Sequence, residues 1–234
     1  MSETTTTAPA KGTLPGPDGA PRCPWGLSTE DYLAYHDTEW GRPVHGDDAL
    51  FERLCLEAFQ SGLSWLTILR RRETFRAAFA GFEIAAVAAF TEADRTRLLA
   101  DPGIIRNRAK VDATLANARL LADWPEGELD ALIWSYAPER AGRPAPRTVA
   151  DVPAVTDAST ALAKELKKRG VRFVGPTTAY ASCRRAAWST TTSPTAWRAG
   201  PAPGERPGAA RRAGPAALHR PRRHPRPRRD RPRA

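Results

Sequence analysis

The sequence predicts an all-α domain flanked by two unstructured ends. Three observations carry that prediction. Between Arg22 and about Tyr180, apolar residues recur at steps of three and four, the spacing that collects them on one face of a helix. Runs that alternate apolar and polar residues, the mark of a half-buried strand, are nearly absent. Capping residues and Gly or Pro breaks divide the stretch at helix-length intervals.

The elements follow in order. Residues 1–21 are rich in Thr, Pro and Gly and lack periodicity, so a disordered leader is expected. It has no apolar signal-peptide core, and the lack of Arg before Arg22 counts against a transit peptide. Asp47 or Asp48 is expected to cap a helix that aligns Leu50, Phe51, Leu54, Cys55 and Ala58. Helical character continues through Leu63, Leu66 and Leu69 to Phe75 and Phe79, with Gly62 as a break. Thr91 and Asp94 resemble a capping box ahead of Leu98 and Leu99. Asp101-Pro102-Gly103 signals a turn. Val111, Leu115, Ala118 and Leu121 form the next stripe, and Leu129, Leu132, Ile133 and Tyr136 a shorter one. Asp157 precedes a helix through Leu162 and Leu166, with a basic last turn and Gly170 as its stop. Pro176 suits the first turn of a final helix.

Charge divides the chain differently. It has 234 residues and a net charge of +10. Residues 182–234 hold fourteen Arg against one Glu and one Asp, a balance of +12, which leaves −2 for the rest. The basic excess therefore belongs to the C-terminal segment and is no footprint of a nucleic-acid-binding domain. That segment has a single Leu and no Val, Ile, Phe, Tyr or Met. Too little apolar surface is available to offset ordering entropy, so it too is expected to be disordered. The domain proper is residues 22–181. Three scattered cysteines argue against a disulfide framework and for a reducing compartment. A cytoplasmic location is expected, and no apolar run approaches the roughly 20 residues of a membrane span.

Three groups of residues carry possible chemistry. Glu57 stands among apolar neighbours in Leu54-Cys55-Leu56-Glu57-Ala58-Phe59. A carboxylate there either reaches solvent or an Arg, or serves a ligand in an aromatic pocket. Tyr32, Tyr35, Trp40 and Trp65 are the polar-edged aromatics for such a pocket, with plain core packing as the alternative. Cys23 and His36 are metal-ligand types, but two ligands fall short of the four of a structural zinc site. Finally, Asp101-Pro102-Gly103-Ile104-Ile105-Arg106-Asn107-Arg108-Ala109-Lys110 reads as a helical hairpin. Gly103, Arg106, Arg108 and Lys110 are its candidates for a DNA phosphate, against an ordinary hairpin with no such role.

Four motifs in this order resemble the DNA-3-methyladenine glycosylase I family. They are Arg22-Cys23-Pro24-Trp25 with Tyr32 to Gly41, Leu54 to Trp65, Gly103 to Arg108, and Leu166 to Thr177. The resemblance covers residues 22–181 and implies a helix-hairpin-helix glycosylase fold. It implies a monofunctional enzyme of base-excision repair that removes 3-methyladenine from double-stranded DNA, acting as a monomer without membrane attachment. It further implies that Glu57, Tyr32, Tyr35, Trp40 and Trp65 form the base pocket. Cys23 and His36 would be half of a structural zinc site, completed by a His-x3-Cys near the carboxy terminus. A non-catalytic damaged-DNA-binding module with the same fold is the alternative.

The second half of that zinc motif is missing. Cys183 comes too early, and His219 and His224 lie in the Arg- and Pro-rich segment. A frame error accounts for this. If each codon of residues 181–199 starts one base earlier, degenerate bases allow Met-Gln-Ala followed by His-x3-Cys. One nucleotide missing near codon 182 would also explain the Arg, Pro, Ala and Gly composition that follows. The rival reading is a genuine Arg-rich tail that binds phosphate without sequence preference.

Overall fold

The computed structural model describes residues 12–137 and 152–185. The architecture is all-α, as predicted, and the helices are set out by their caps. A 3₁₀ turn at Pro24–Leu27 leads into α1 (Glu30–Thr38), whose N-cap Thr29 accepts from Tyr32 N. Next come α2 (Asp47–Gln60), α3 (Trp65–Ala78), the short α4 (Ile84–Ala88) and α5 (Glu92–Ala100). After the hairpin come α6 (Arg108–Ala122), α7 (Glu128–Ser135), α8 (Asp157–Lys168) and α9 (Pro176–Arg185).

The core forms around α2, which packs against α3, α6, α7 and α9. Eight of its residues are buried, among them Leu56 and Phe59 at 0 % exposure. Phe59, Phe75, Phe79 and Phe82 pack together with ring centroids 4.7–6.3 Å apart. This aromatic wall fixes α2 against α3. The break between them is where Gly62 places it, at φ +82°, a left-handed conformation that a side chain strains. The predicted capping box at Thr91 and Asp94 is present, and a second one joins Thr156 to Ser159.

One cap differs from the prediction. The residue at the head of α2 is Gly46, and Asp47 and Asp48 lie in the first turn. Their carboxylates reach outward. Asp48 accepts from Ile84 N at 2.8 Å, at the start of α4. Asp47 accepts from Gly127 N at 2.9 Å and Asp130 N at 2.8 Å, at the start of α7. Asp130 returns the favour by accepting from Gly46 N. Two helix N-termini thus satisfy each other's orphan amides, which no local spacing reveals.

Both ends of the domain differ from the boundaries expected from composition. Residues 1–11 lie outside the described residues. Within 12–21, β1 (Leu14–Pro15) pairs antiparallel with β2 (Pro21–Arg22). Pro17-Asp18 turn the chain between them, closed by Gly19 N donating to Gly16 O at 2.9 Å, with Gly19 at φ +78°. Arg22 is 4 % exposed and clamps Asp37 through two nitrogens at 2.8–3.0 Å, with Asp18 as its other partner. That guanidinium holds the Asp37 carboxyl below its ordinary range. At the other end α9 continues past Ala181, because Ser182 and Cys183 are buried, at 6 % and 1 % exposure. The rest of the segment expected to be disordered, residues 186–234 with the out-of-frame reading, lies outside the described residues.

Candidate active site

The predicted aromatics come together. Trp40 N and Glu39 N both bond Tyr35 O, which curls the end of α1 so that Trp40 folds back over Tyr35. Their rings lie 6.1 Å apart, edge to face. Ser64 caps α3 by accepting from Thr67 N and thereby sets Trp65 as its first residue. Tyr35 and Trp65 are 5.7 Å apart. Tyr35, Trp40 and Trp65 are all buried, and Tyr32 is half-buried.

Two members escaped sequence reasoning. Trp25 stands edge to face with Tyr32 at 5.7 Å and with Trp40 at 5.0 Å. The signal was present, since Trp25 ends the same Arg-Cys-Pro-Trp run that holds Cys23. Arg184 lies over Trp40 at 5.3 Å and over Tyr180 at 5.5 Å. It had been counted with the basic segment, and only the extra turn of α9 brings it here.

Glu57 is 3 % exposed on the inward face of α2, so the snorkelling alternative does not apply. Its relation to the aromatics runs through α9. Burial, and then the Glu57 charge, pushes the Cys183 thiol well above its ordinary range. Cys183 and Arg184 are consecutive. One turn of α9 therefore carries a thiol within reach of the Glu57 charge and a guanidinium that lies over Trp40.

The hairpin candidates separate into three kinds. Arg106 and Arg108 are exposed, free to meet a phosphate. Gly103 N donates to Asp101 Oδ1 at 2.7 Å, and Thr74 Oγ1 donates to Gly103 O at 2.7 Å. Its N–H thus closes the turn on itself, and its carbonyl seats the turn on α3. Lys110 is buried, and its Nζ donates to Phe59 O at 2.9 Å and Ser61 O at 2.7 Å. Its ammonium faces the α2 C-terminus, not solvent. That geometry departs from a phosphate contact, because the unsatisfied carbonyls at the helix end attract the cation inward.

The zinc candidates fit in part. His36 is buried, with Nδ1 2.9 Å from an Asp37 oxygen and Nε2 without a hydrogen-bond partner. A carboxylate that orients an imidazole whose other nitrogen is left open is the usual support of a metal-bound His. Cys23 is buried, in the strand-to-turn corner. Gly26 lets that corner approach, since a Cβ there would lie 2.9 Å from the His36 ring. Yet the described residues hold no group of three or more metal-ligating side chains. Two donors do not make a tetrahedral site.

The model of the methyladenine glycosylase family matches residues 25–188. The DNA-3-methyladenine glycosylase 1 of Escherichia coli K12 is 44 % identical over 161 residues, 68 % of this chain and 86 % of that protein. The DNA-3-methyladenine glycosylase of Haemophilus influenzae is 43 % identical over 165 residues, 68 % of this chain and 88 % of its own. A crystal structure of a 3-methyladenine DNA glycosylase I superposes with a TM-score of 0.67 at 41 % identity, covering 73 % of this chain and 95 % of that one. The Staphylococcus aureus enzyme gives 0.63 at 35 % identity, with 71 % and 90 % covered. The family match spans both the aromatic cluster and the hairpin, and the chain belongs to the methyladenine glycosylase family.

Proposed function

We propose that this protein is a DNA glycosylase of base-excision repair that hydrolyses the N-glycosidic bond of 3-methyladenine in double-stranded DNA. The observation that carries the reading is the set of five aromatics in ring contact, Trp25, Tyr32, Tyr35, Trp40 and Trp65, in a domain whose α2 buries the Glu57 carboxylate. The family's named substrate fits that chemistry. A base inside a duplex is out of reach, so the damaged nucleotide must leave the stack. A 3-methylated adenine is cationic, and Tyr32, Tyr35, Trp40 and Trp65 offer π-faces worth about 0.5–2 kcal/mol each to a cation. Glu57 accepts a hydrogen bond from the base and favours its positive charge. Such a base departs with little acid catalysis. The protein's part is selection, orientation and stabilisation of the oxocarbenium-like sugar. Lys110 is engaged with two carbonyls, which suits hydrolysis without a lyase step.

The test is direct. The full chain, incubated with methylated duplex DNA, is expected to release free 3-methyladenine and leave an uncut abasic strand, as read by chromatography and gel. Tight binding of methylated duplex without base release would replace the enzyme by a damage-binding module. The protein is expected to act as a monomer, in the cytoplasm; no helix of the described residues is long and apolar enough to cross a membrane.

Zinc is a second point of test. With Cys23 and His36 alone, the chain is expected to hold less than one zinc and lose it to a chelator. A gene with one base restored near codon 182 is expected to encode the His-x3-Cys pair and yield stoichiometric metal. Chelator-resistant zinc in the 234-residue chain, measured by metal analysis, would overturn the first of these expectations.

A further inference from the structure

We propose that Phe173 is a DNA-contacting residue whose ring stacks on a base face bared when the damaged nucleotide leaves the duplex. This rests on the glycosylase reading above and adds to it a residue outside the base pocket.

Phe173 is 42 % exposed. An exposed apolar side chain is ordinary by itself, but three further facts set this one apart. First, its φ is +63°, a left-handed backbone that a bulky residue rarely takes and that strains it. Glycine serves that need three residues earlier, at Gly170 with φ +95°. Second, the conformation is enforced from outside. Asn117, buried on α6, accepts from Arg172 N at 2.7 Å and donates through Nδ2 to Arg172 O at 2.9 Å. Val171 and Val174 are buried on either side. The loop is pinned at both flanks while the ring between them points to solvent. A core aromatic would show the reverse.

Third, the surroundings suit nucleic acid. Phe173 borders a cavity of about 660 Å³ whose lining includes Ser61, Lys167, Arg172 and Thr178, with two cations and no carboxylate. Ser61 belongs to the turn that ends in Trp65, and its carbonyl is held by Lys110 at the start of the helix after the hairpin. The α8–α9 loop thus converges with the pocket turn and the hairpin. At the other end of α2, about 20 Å away for a 14-residue helix, lies a cavity lined by Asp47, Asp48, Glu83, Glu126 and Asp130. That end repels a phosphate backbone, and the Phe173 end attracts one. An aromatic beside cations is the standard platform for an unstacked base.

The test uses the full chain with Phe173→Gly and Phe173→Tyr. The probes are a duplex containing an abasic-site analogue and the same duplex intact. The ratio of the two affinities cancels whatever the Arg-rich C-terminus adds to both. Phe173→Gly is expected to lower that ratio about tenfold while melting at or above the wild-type temperature, because glycine relieves the left-handed strain. Phe173→Tyr, which keeps the ring, is expected to restore the ratio. An unchanged ratio in Phe173→Gly, beside a wild type that releases 3-methyladenine, overturns this proposal alone. A ratio that falls together with the melting temperature makes the ring a packing element and also overturns it. A wild type with neither base release nor preference for the abasic duplex brings down the glycosylase reading as well.

Discussion

Glu57→Gln is expected to lower 3-methyladenine excision about 10²- to 10³-fold, the usual cost of removing one preorganised electrostatic contact in a closed site. The substitution keeps shape and removes charge, so the fold should survive. Near-ultraviolet circular dichroism and the denaturant midpoint check that. Glu57 is 3 % exposed, and a carboxylate so placed is retained at a cost unless its charge has a use. The loss should appear in kcat as well as in kcat/KM, because the charge matters most as the base departs. Wild-type excision by a folded Glu57→Gln protein would take Glu57 out of the pocket and leave the aromatic box as core.

Much of this was legible in the chain, and the reasons differ by element. The helices were legible because apolar spacing and caps are local: Gly62, Thr91 with Asp94, and Pro176 each mark a boundary the structure keeps. Local rules failed where a side chain serves a distant backbone. Asp47 looks like the cap of its own helix, yet it satisfies the amides of α7, eighty residues on. Composition failed at the ends. A Thr- and Pro-rich leader hid the Pro17-Asp18 turn, and the Arg count of the C-terminal segment hid Ser182 and Cys183, which continue the buried face of α9, and Arg184, which reaches Trp40. In the site, motif position named three aromatics in mutual contact, Tyr35, Trp40 and Trp65, and a fourth, Tyr32, which joins them only through the unnamed Trp25. It named Lys110 for the wrong partner, because a lysine beside a DNA-binding turn and a lysine that ends a helix look alike in one dimension.

Lys110→Met separates those two roles with the largest expected effect on stability. Charged hydrogen bonds run to Phe59 O and Ser61 O, and their loss should lower unfolding free energy by about 1–3 kcal/mol. Burial depresses the Lys110 pKa, so part of the charge's benefit is already offset by desolvation, which argues for the lower half of that range. The denaturant midpoint should fall with an unchanged slope. Excision should fall too, since the loosened Ser61 turn carries Ser64 and Trp65. The salt dependence of DNA binding, however, should stay at the wild-type value. Arg106→Ala or Arg108→Ala should each reduce that dependence by about one released counterion, with little change in stability, because both side chains are exposed. If Lys110→Met instead keeps its midpoint and loses salt dependence, the ammonium belongs on a phosphate and the inward geometry is not the one that meets DNA. If the midpoint falls as expected, α6 acts as a spine. Lys110 holds the pocket turn at one end and Asn117 holds the Arg172 loop two turns later, so one helix fixes both lips of the surface that receives the damaged strand.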